Sequence, residues 1–143
     1  MKKTLMIFVV LLSIIWTASA WAELKEGLWE MTTQAEMKGI PGGPQSMPPT
    51  TVRQCITKSN PVPQNQDKNF ECKTVNMKTT GNTVTYKIEC KGKDGSVMQT
   101  SGTSTYTGSS MSGSSTTNLN MKGQPKIQMA IQNKGKYIGP CSK

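Results

Sequence analysis

The chain has 143 residues, a formal net charge of +9 and no histidine. This length suits one domain of ordinary size. Without histidine, catalytic arrangements that need an imidazole base, such as Ser-His-Asp and Cys-His, are excluded within the chain. Arg53 is the only arginine and the lysines are scattered. Nucleic acid is therefore not an expected partner, because bidentate contacts to bases and phosphates rely on arginine.

The N terminus has the three parts of a secretory signal peptide. Two lysines open the chain, an apolar run extends from Leu5 to Trp16, and small residues follow up to Ala22. We expect cleavage after Ala22, with Ala20 as the alternative. The mature protein is then periplasmic or secreted.

The apolar run of this segment is too short for a membrane helix, which needs about 20 apolar residues. No stable membrane anchor is therefore expected. The predicted organisation is a signal peptide over residues 1–22 and a single β-rich domain over residues 23–143. Loss of Lys2 and Lys3 leaves a charge of about +7, which favours contact with an anionic envelope component.

Four cysteines remain in the mature chain: Cys55, Cys72, Cys90 and Cys141. An even number in an exported protein predicts two disulfides. Zinc is disfavoured because the chain has no C-x-x-C pair and no histidine. Of the three connectivities we favour Cys72–Cys90, which staples a hairpin, with Cys55–Cys141, which ties the C terminus to an early strand.

Alternating apolar and polar residues predict β-strands along most of the mature chain. The expected strands are 27–37, 51–56, 72–80, 83–91, 97–106, 110–121 and 127–131, followed by a last extended piece to Ile138. The Gly- and Pro-rich stretch 38–50 is predicted to be a loop. No stretch has helical periodicity. The predicted fold class is all-β, a single antiparallel meander of six to seven strands, barrel-like or a sandwich.

One predicted hairpin has a register that bears on the disulfides. A two-residue turn at Gly81-Asn82 pairs apolar residues across the two strands: Val75 with Ile88 and Met77 with Tyr86. The same register sets Cys90 opposite Lys73 and turns Cys72 to the other face. A Cys72–Cys90 bond therefore needs a bulge near Cys72, a longer turn, or the end of regular pairing there.

Four pieces of the chain together resemble one protein family. They are Leu24-Lys25-Glu26-Gly27-Leu28-Trp29-Glu30, Met47-Pro48-Pro49 before Gln54-Cys55-Ile56-Thr57, the Cys72 to Cys90 hairpin with Gly81-Asn82-Thr83, and Ile138-Gly139-Pro140-Cys141. The chain resembles the exported bacterial family catalogued as domain of unknown function 3617. The resemblance implies a short secreted or periplasmic β-rich protein of Gram-negative bacteria, and it carries no catalytic residue with it.

The residues offer little for catalysis. Glu30 and Glu36 share one strand face, but six positions on a straight strand separate them by about 20 Å, too far for a glycosidase pair. An enzyme is therefore not expected, and neither are a catalytic residue, a cofactor or a metal. The eight methionines of the mature chain could bind Cu(I), but they lie mostly on apolar faces, where methionine serves as flexible core filler.

Small inward residues in the middle of the chain raise the question of a cavity. Gly113, Ser115 and Thr117 share a face with larger apolar residues, so either another strand packs closely there or a space remains. The candidate ligand pocket consists of Trp29, Met31, Tyr86 and Met111. We expect a non-enzymatic binding or envelope-support module. The alternative is a lipocalin-like carrier of a small apolar ligand, and a carboxylate-dependent enzyme is the least favoured.

Overall fold

The structure is a computed structural model that describes residues 24–63 and 68–142. The expected signal peptide, residues 1–22, lies outside the described residues. The described residues form strands, turns and bends, and none is in a helix. Accordingly, this part of the chain has no helix of the length and apolarity needed to cross a membrane.

The described residues form eight strands. They are β1 (Gly27–Lys38), β2 (Gln45–Ser46), β3 (Thr50–Ile56), β4 (Phe70–Thr80), β5 (Thr83–Gly92), β6 (Val97–Thr107), β7 (Ser110–Asn120) and β8 (Ile127–Gly139). The alternation seen in the sequence accounts for them, because each long strand except the exposed β4 turns every second side chain toward one buried face.

All eight strands belong to one antiparallel sheet. Strands β4 to β8 form a meander, each pairing with the next along the chain, and β8 then pairs with β1. The other edge of β1 carries β2 and β3. Although β3 and β4 lie at opposite ends of the sheet, Val52 and Cys72 face the same groove. The sheet is thus curled into a half-barrel.

The all-β antiparallel fold class predicted from the sequence is confirmed, and the single sheet selects the barrel-like form over the sandwich. Two details differ from the prediction. The expected loop 38–50 contains the short strand β2, which pairs with Glu36 and Met37 of β1. The last two extended pieces are one continuous strand, β8, because it is paired on both sides by β1 and β7.

The β4–β5 hairpin has the irregularity that its disulfide requires. Thr80 pairs with Thr83, so the turn is Gly81-Asn82, as predicted. Gly81 has φ +60°, as expected for the first position of a type II′ turn. The register then shifts between Thr74 and Asn76.

Val75 is the bulged residue, and its predicted pairing with Ile88 is wrong. Ile88 pairs with Thr74 instead, while Met77 pairs with Tyr86 as predicted. One extra residue on β4 inverts the facing of everything beyond it. The bulge thereby brings Cys72 directly opposite Cys90.

Both predicted disulfides, Cys72–Cys90 and Cys55–Cys141, are present. Their partners are 18 and 86 residues apart. Loop-closure entropy alone corresponds to about 3 kcal/mol for the shorter loop and about 4.5 kcal/mol for the longer. Since disulfides persist in oxidising environments, the two bonds indicate a location outside the cytoplasm.

The core lies along the concave face of the half-barrel, with two tyrosine rings packed against Trp29. Trp29 of β1 is fully buried and meets Tyr106 of β6 edge-on at 5.4 Å between ring centroids. Tyr137 of β8 meets the same indole at 5.8 Å, again edge-on. Edge-to-face contact is a favoured geometry for aromatic pairs. Aliphatic and thioether side chains complete this core: Met31, Ile56, Val62, Val84 and Met111.

Deleting Val75 tests whether one extra residue explains the register. The deletion removes the bulge and leaves Thr74 followed by Asn76, so the facing alternates without a break up to Cys72. We expect the Cys72–Cys90 bond to form and the urea midpoint to change little. Intact mass under non-reducing conditions measures the bond, and free thiols at these cysteines would contradict the assignment.

Candidate functional site

A groove runs along the concave face of the half-barrel, beside the aromatic core. Its volume is about 310 Å³, within the range of about 300–1,000 Å³ typical of small-molecule sites. Because the sheet is curved, seven strands contribute residues to its walls: β1 and β3 through β8. The lining side chains are Met31, Thr33, Val52, Gln54, Pro63, Cys72, Tyr86, Ile88, Cys90, Met98, Thr100, Ser115, Thr117, Met129, Ile131 and Asn133.

The walls of this groove are mostly apolar. Thioether and aliphatic side chains from β1, β5, β6 and β8 face the space, and the Cys72–Cys90 disulfide forms part of the wall at the β4 end. Val52 of β3 lies at the rim and is 48% exposed. Among the described residues that line the groove there is no aspartate, glutamate, lysine or arginine.

Besides the small residues of β7, the inward faces of β6 and β8 carry two glycines, Gly102 and Gly135, and neighbouring side chains occupy the space beside them. At Gly135, the Met31 sulfur lies 2.6 Å from the position a Cβ would take. At Gly102, the Tyr86 hydroxyl lies 2.8 Å from the corresponding position. Long side chains from nearby strands thus cover two of the glycines. The space that remains lies over Ser115 and Thr117.

Polar side chains form the floor of the groove. Ser115, Thr117 and Asn133 are each less than one-tenth exposed. Thr33 Oγ1 donates a hydrogen bond to Asn133 Oδ1 at 2.7 Å, and the Thr100 and Thr117 hydroxyls are 2.8 Å apart. These pairs follow from the register, in which Thr33 stands opposite Asn133 and Thr100 opposite Thr117.

The groove ends against the aromatic core. The Tyr106 hydroxyl donates a hydrogen bond to the Pro61 carbonyl, which fastens the segment after β3 over this end. Pro61 and Val62 are buried as a result. Burial raises the pKa of the Tyr106 phenol well above its usual range, and the nearby Tyr86 adds to the effect. The neighbouring Ser104 hydroxyl is fully buried and has no partner among the described residues.

The four residues of the predicted ligand pocket separate into two groups. Met31 and Tyr86 line the groove. All four belong to the buried core, but Trp29 and Met111 do not border the groove, and Met111 pairs with Tyr106 across β6 and β7. The Cys72 and Cys90 side chains, predicted for their disulfide alone, also line the groove.

The sequence interpretation missed the polar floor. Asn133 was given no role, although its position matches the inward face of Met129 and Ile131 once β8 is extended by two residues. A polar residue at a predicted core position is the signal that points to such a site. The partner of Asn133, Thr33, is 100 positions away in the chain, and no local pattern connects them.

A second hollow lies on the outward face of the sheet and is less suited to a ligand. It measures about 520 Å³ and is lined largely by Gln, Ser and Thr side chains of β1, β6, β7 and β8. Most of these side chains are exposed and already solvated. Glu36 lies there, 3.8 Å from Lys38, whereas Glu30 accepts a hydrogen bond from Arg53 at 3.1 Å. In the described ranges, His, Cys, Asp and Glu form no cluster able to hold a metal ion.

The protein is thus a small, disulfide-bonded β half-barrel with a groove on its concave face. The family model described as Protein of unknown function (DUF3617) matches residues 24–141. Because the match covers nearly all of the chain outside the expected signal peptide, the chain belongs to this family. No curated protein and no solved structure matches it.

Replacing Tyr106 with Phe tests the fastening of the groove's end. At neutral pH the variant loses one buried hydrogen bond, so its free energy of unfolding should fall by about 1 kcal/mol. In the native chain the phenol has a raised pKa, and its contribution is complete below the unfolded-state pKa of about 10 and is lost as pH rises beyond it. The difference between the two proteins should therefore shrink in alkali.

Urea unfolding at neutral pH, and again about one unit above the ordinary tyrosine pKa, measures this difference. Val84→Ala, which removes apolar contacts in the same core without a titrating group, is the control. Its destabilisation should be the same at both pH values. An equal loss at both pH values for Tyr106→Phe would contradict the buried phenol.

Proposed function

We propose that this protein is an exported, non-enzymatic binding module that holds a small, largely apolar ligand in the concave groove. The observation that carries the proposal is the groove itself, a space of about 310 Å³ with apolar walls next to a rigid core. Of the two non-enzymatic functions expected from the sequence, the groove favours the ligand carrier. No described feature favours a purely mechanical role in the envelope.

The apolar walls supply the affinity in this proposal. Burying apolar surface contributes about 25 cal/mol per Å², and side chains of Met31, Ile88, Met98, Met129 and Ile131 face the ligand together. Methionine suits such a wall because its unbranched thioether adapts to the shape of the ligand. The volume corresponds to about ten water molecules, and hence to a ligand of modest size.

The same lining argues for binding over catalysis. General acid–base chemistry needs a titratable group placed at the reacting atoms, and the described lining residues include no carboxylate, amine or guanidinium. The two cysteines that face the groove are joined in a disulfide and are not nucleophiles. Tyr86 is the remaining ionisable lining residue, and it packs over Gly102.

The proposed function includes export from the cytoplasm. We place the protein in the periplasm or extracellular space of a Gram-negative bacterium, after signal-peptide cleavage at Ala22. The chain recovered from the periplasm should begin at Glu23 and carry two disulfides. Intact mass before and after reduction measures both features. A start at Trp21 would move the cleavage site to Ala20, and a chain that keeps Met1 would contradict cleavage.

A Val52→Trp substitution tests the groove as the ligand site. Val52 lines the rim and is half-exposed, so an indole at this position would fill the groove without disturbing the core. We expect the protein to enhance the fluorescence of the uncharged dye N-phenylnaphthylamine. The substitution should weaken dye binding by about ten-fold or more, because the indole occupies apolar surface that the dye needs.

Thr51→Trp is the matched control, since Thr51 is the neighbouring exposed residue and its hydroxyl lies 3.0 Å from that of the exposed Thr32, away from the groove. It should leave the affinity for the dye unchanged. Equal binding by Val52→Trp and the native protein would place the dye elsewhere. Absence of dye binding by the native protein would overturn the groove as an apolar site.

A further inference from the structure

Buried polar side chains are concentrated on the floor of the groove. Within the described ranges, the buried polar residues are Ser96, Ser104, Ser115, Thr117 and Asn133. Three of these five lie side by side in the groove. A polar group that leaves water without a new partner costs free energy, so such groups are normally hydrogen-bonded.

Asn133 has an unused donor. Its Oδ1 accepts the Thr33 hydroxyl hydrogen at 2.7 Å. A carboxamide also carries two N–H hydrogens, and no group in residues 24–63 or 68–142 accepts them in a recorded bond. Asn133 is 91% buried by its 9% exposure, and its side chain borders the groove. Its Nδ2 is thus a donor without a protein partner that borders the open space of the groove.

The neighbouring hydroxyls add to this surplus of donors. In the Thr100–Thr117 pair one hydroxyl donates to the other, and the one that accepts still has its own hydrogen to give. Ser115 lies between Thr117 and Asn133 on the floor, and its hydroxyl makes no recorded hydrogen bond within the described chain. Asn133, Ser115 and one hydroxyl of the Thr100–Thr117 pair therefore have hydrogens that they can donate into the groove.

We propose that Asn133, Ser115 and Thr117 form a polar subsite that binds an uncharged oxygen acceptor of the ligand, such as a carbonyl, ester, amide or hydroxyl oxygen. The inference rests on the proposed binding function and names the class of ligand: a neutral molecule with an apolar body and one oxygen-bearing group. The apolar part lies against the thioether and aliphatic walls, and the oxygen lies over the floor.

The charge of the lining decides between neutral and ionic ligands. A carboxylate would find donors at the subsite, but it would enter a groove whose described lining has no lysine or arginine to pair with it. Buried charges without a partner carry a large desolvation cost. An ammonium group only donates hydrogen bonds, so it would face the Asn133 N–H donors without forming a bond to them. A neutral acceptor satisfies the floor without either penalty.

A series of decyl compounds with different head groups tests the subsite. Decanamide and decanol are the neutral probes, and decanoate and decylamine are the charged ones. Each competes with N-phenylnaphthylamine for the native protein. We expect the neutral probes to bind about ten-fold more tightly than the charged ones, which corresponds to one well-formed hydrogen bond and an avoided buried charge.

Asn133→Asp sharpens the test because it keeps the shape and the Thr33 hydrogen bond while it replaces the donor with a charged acceptor. We expect decanamide to lose about ten-fold in affinity and decylamine to become the preferred probe. Asn120→Asp is the matched control. It introduces the same charge at an exposed position of β7 and should leave the order of affinities unchanged.

Ser115→Ala removes one donor with little change in volume and keeps the test valid if Asn133→Asp fails to fold. It should weaken decanamide several-fold and leave decanoate unaffected, whereas Ser114→Ala, on the outward face of the same strand, should change neither. If all four probes bind native protein equally, or neither groove variant alters their order, the subsite is overturned while the groove stands. If no probe and no dye binds, the proposed function itself is overturned.

Discussion

The structure depends on the burial of Trp29 between strands that are far apart in sequence. Its indole lies edge-on to Tyr106 of β6 and Tyr137 of β8, and the indole N–H donates to the Lys25 carbonyl at 2.9 Å. A single sheet with one buried face has no second layer to cover it. Curling around a few large rings is how this polar chain closes its core, and that curvature also creates the groove.

Different parts of the half-barrel stabilise the fold and form the proposed binding site. Around Trp29, the aromatic rings and the Pro61 segment, held by the Tyr106 hydrogen bond, exclude water. Beside this core, the small side chains of Ser115 and Thr117 leave a space that no described side chain fills. Two cross-links complement the small core, and one of them, Cys72–Cys90, also lines the groove. The two roles therefore share structural parts.

Much of the fold was predictable because alternation is a local property. The strand from Gly27 and the Gly81-Asn82 turn follow from spacing and residue type, and the favoured one of three cysteine connectivities is the one present. The bulge was anticipated as one of three ways to bring Cys72 opposite Cys90, and its position at Val75 required coordinates. Of the predicted pocket, Met31 and Tyr86 face the groove, whereas Trp29 and Met111 do not. The sequence predicts which side chains point to the inner face of the sheet, but whether such a side chain borders the groove depends on the curvature of the sheet.

The sequence by itself determined the alternating facing of most strands and the tight turn at Gly81-Asn82, and it favoured one of three cysteine connectivities. Each of these follows from period-two facing, loop length or glycine φ. Only the tertiary structure decided that β8 pairs with β1, that the sheet curls, and that Asn133 meets Thr33 across 100 residues. The reason is physical: alternation orients a side chain toward the interior but does not specify its neighbour across the sheet. The small, exported, cross-linked protein expected from the sequence thus gained a defined groove with a polar floor.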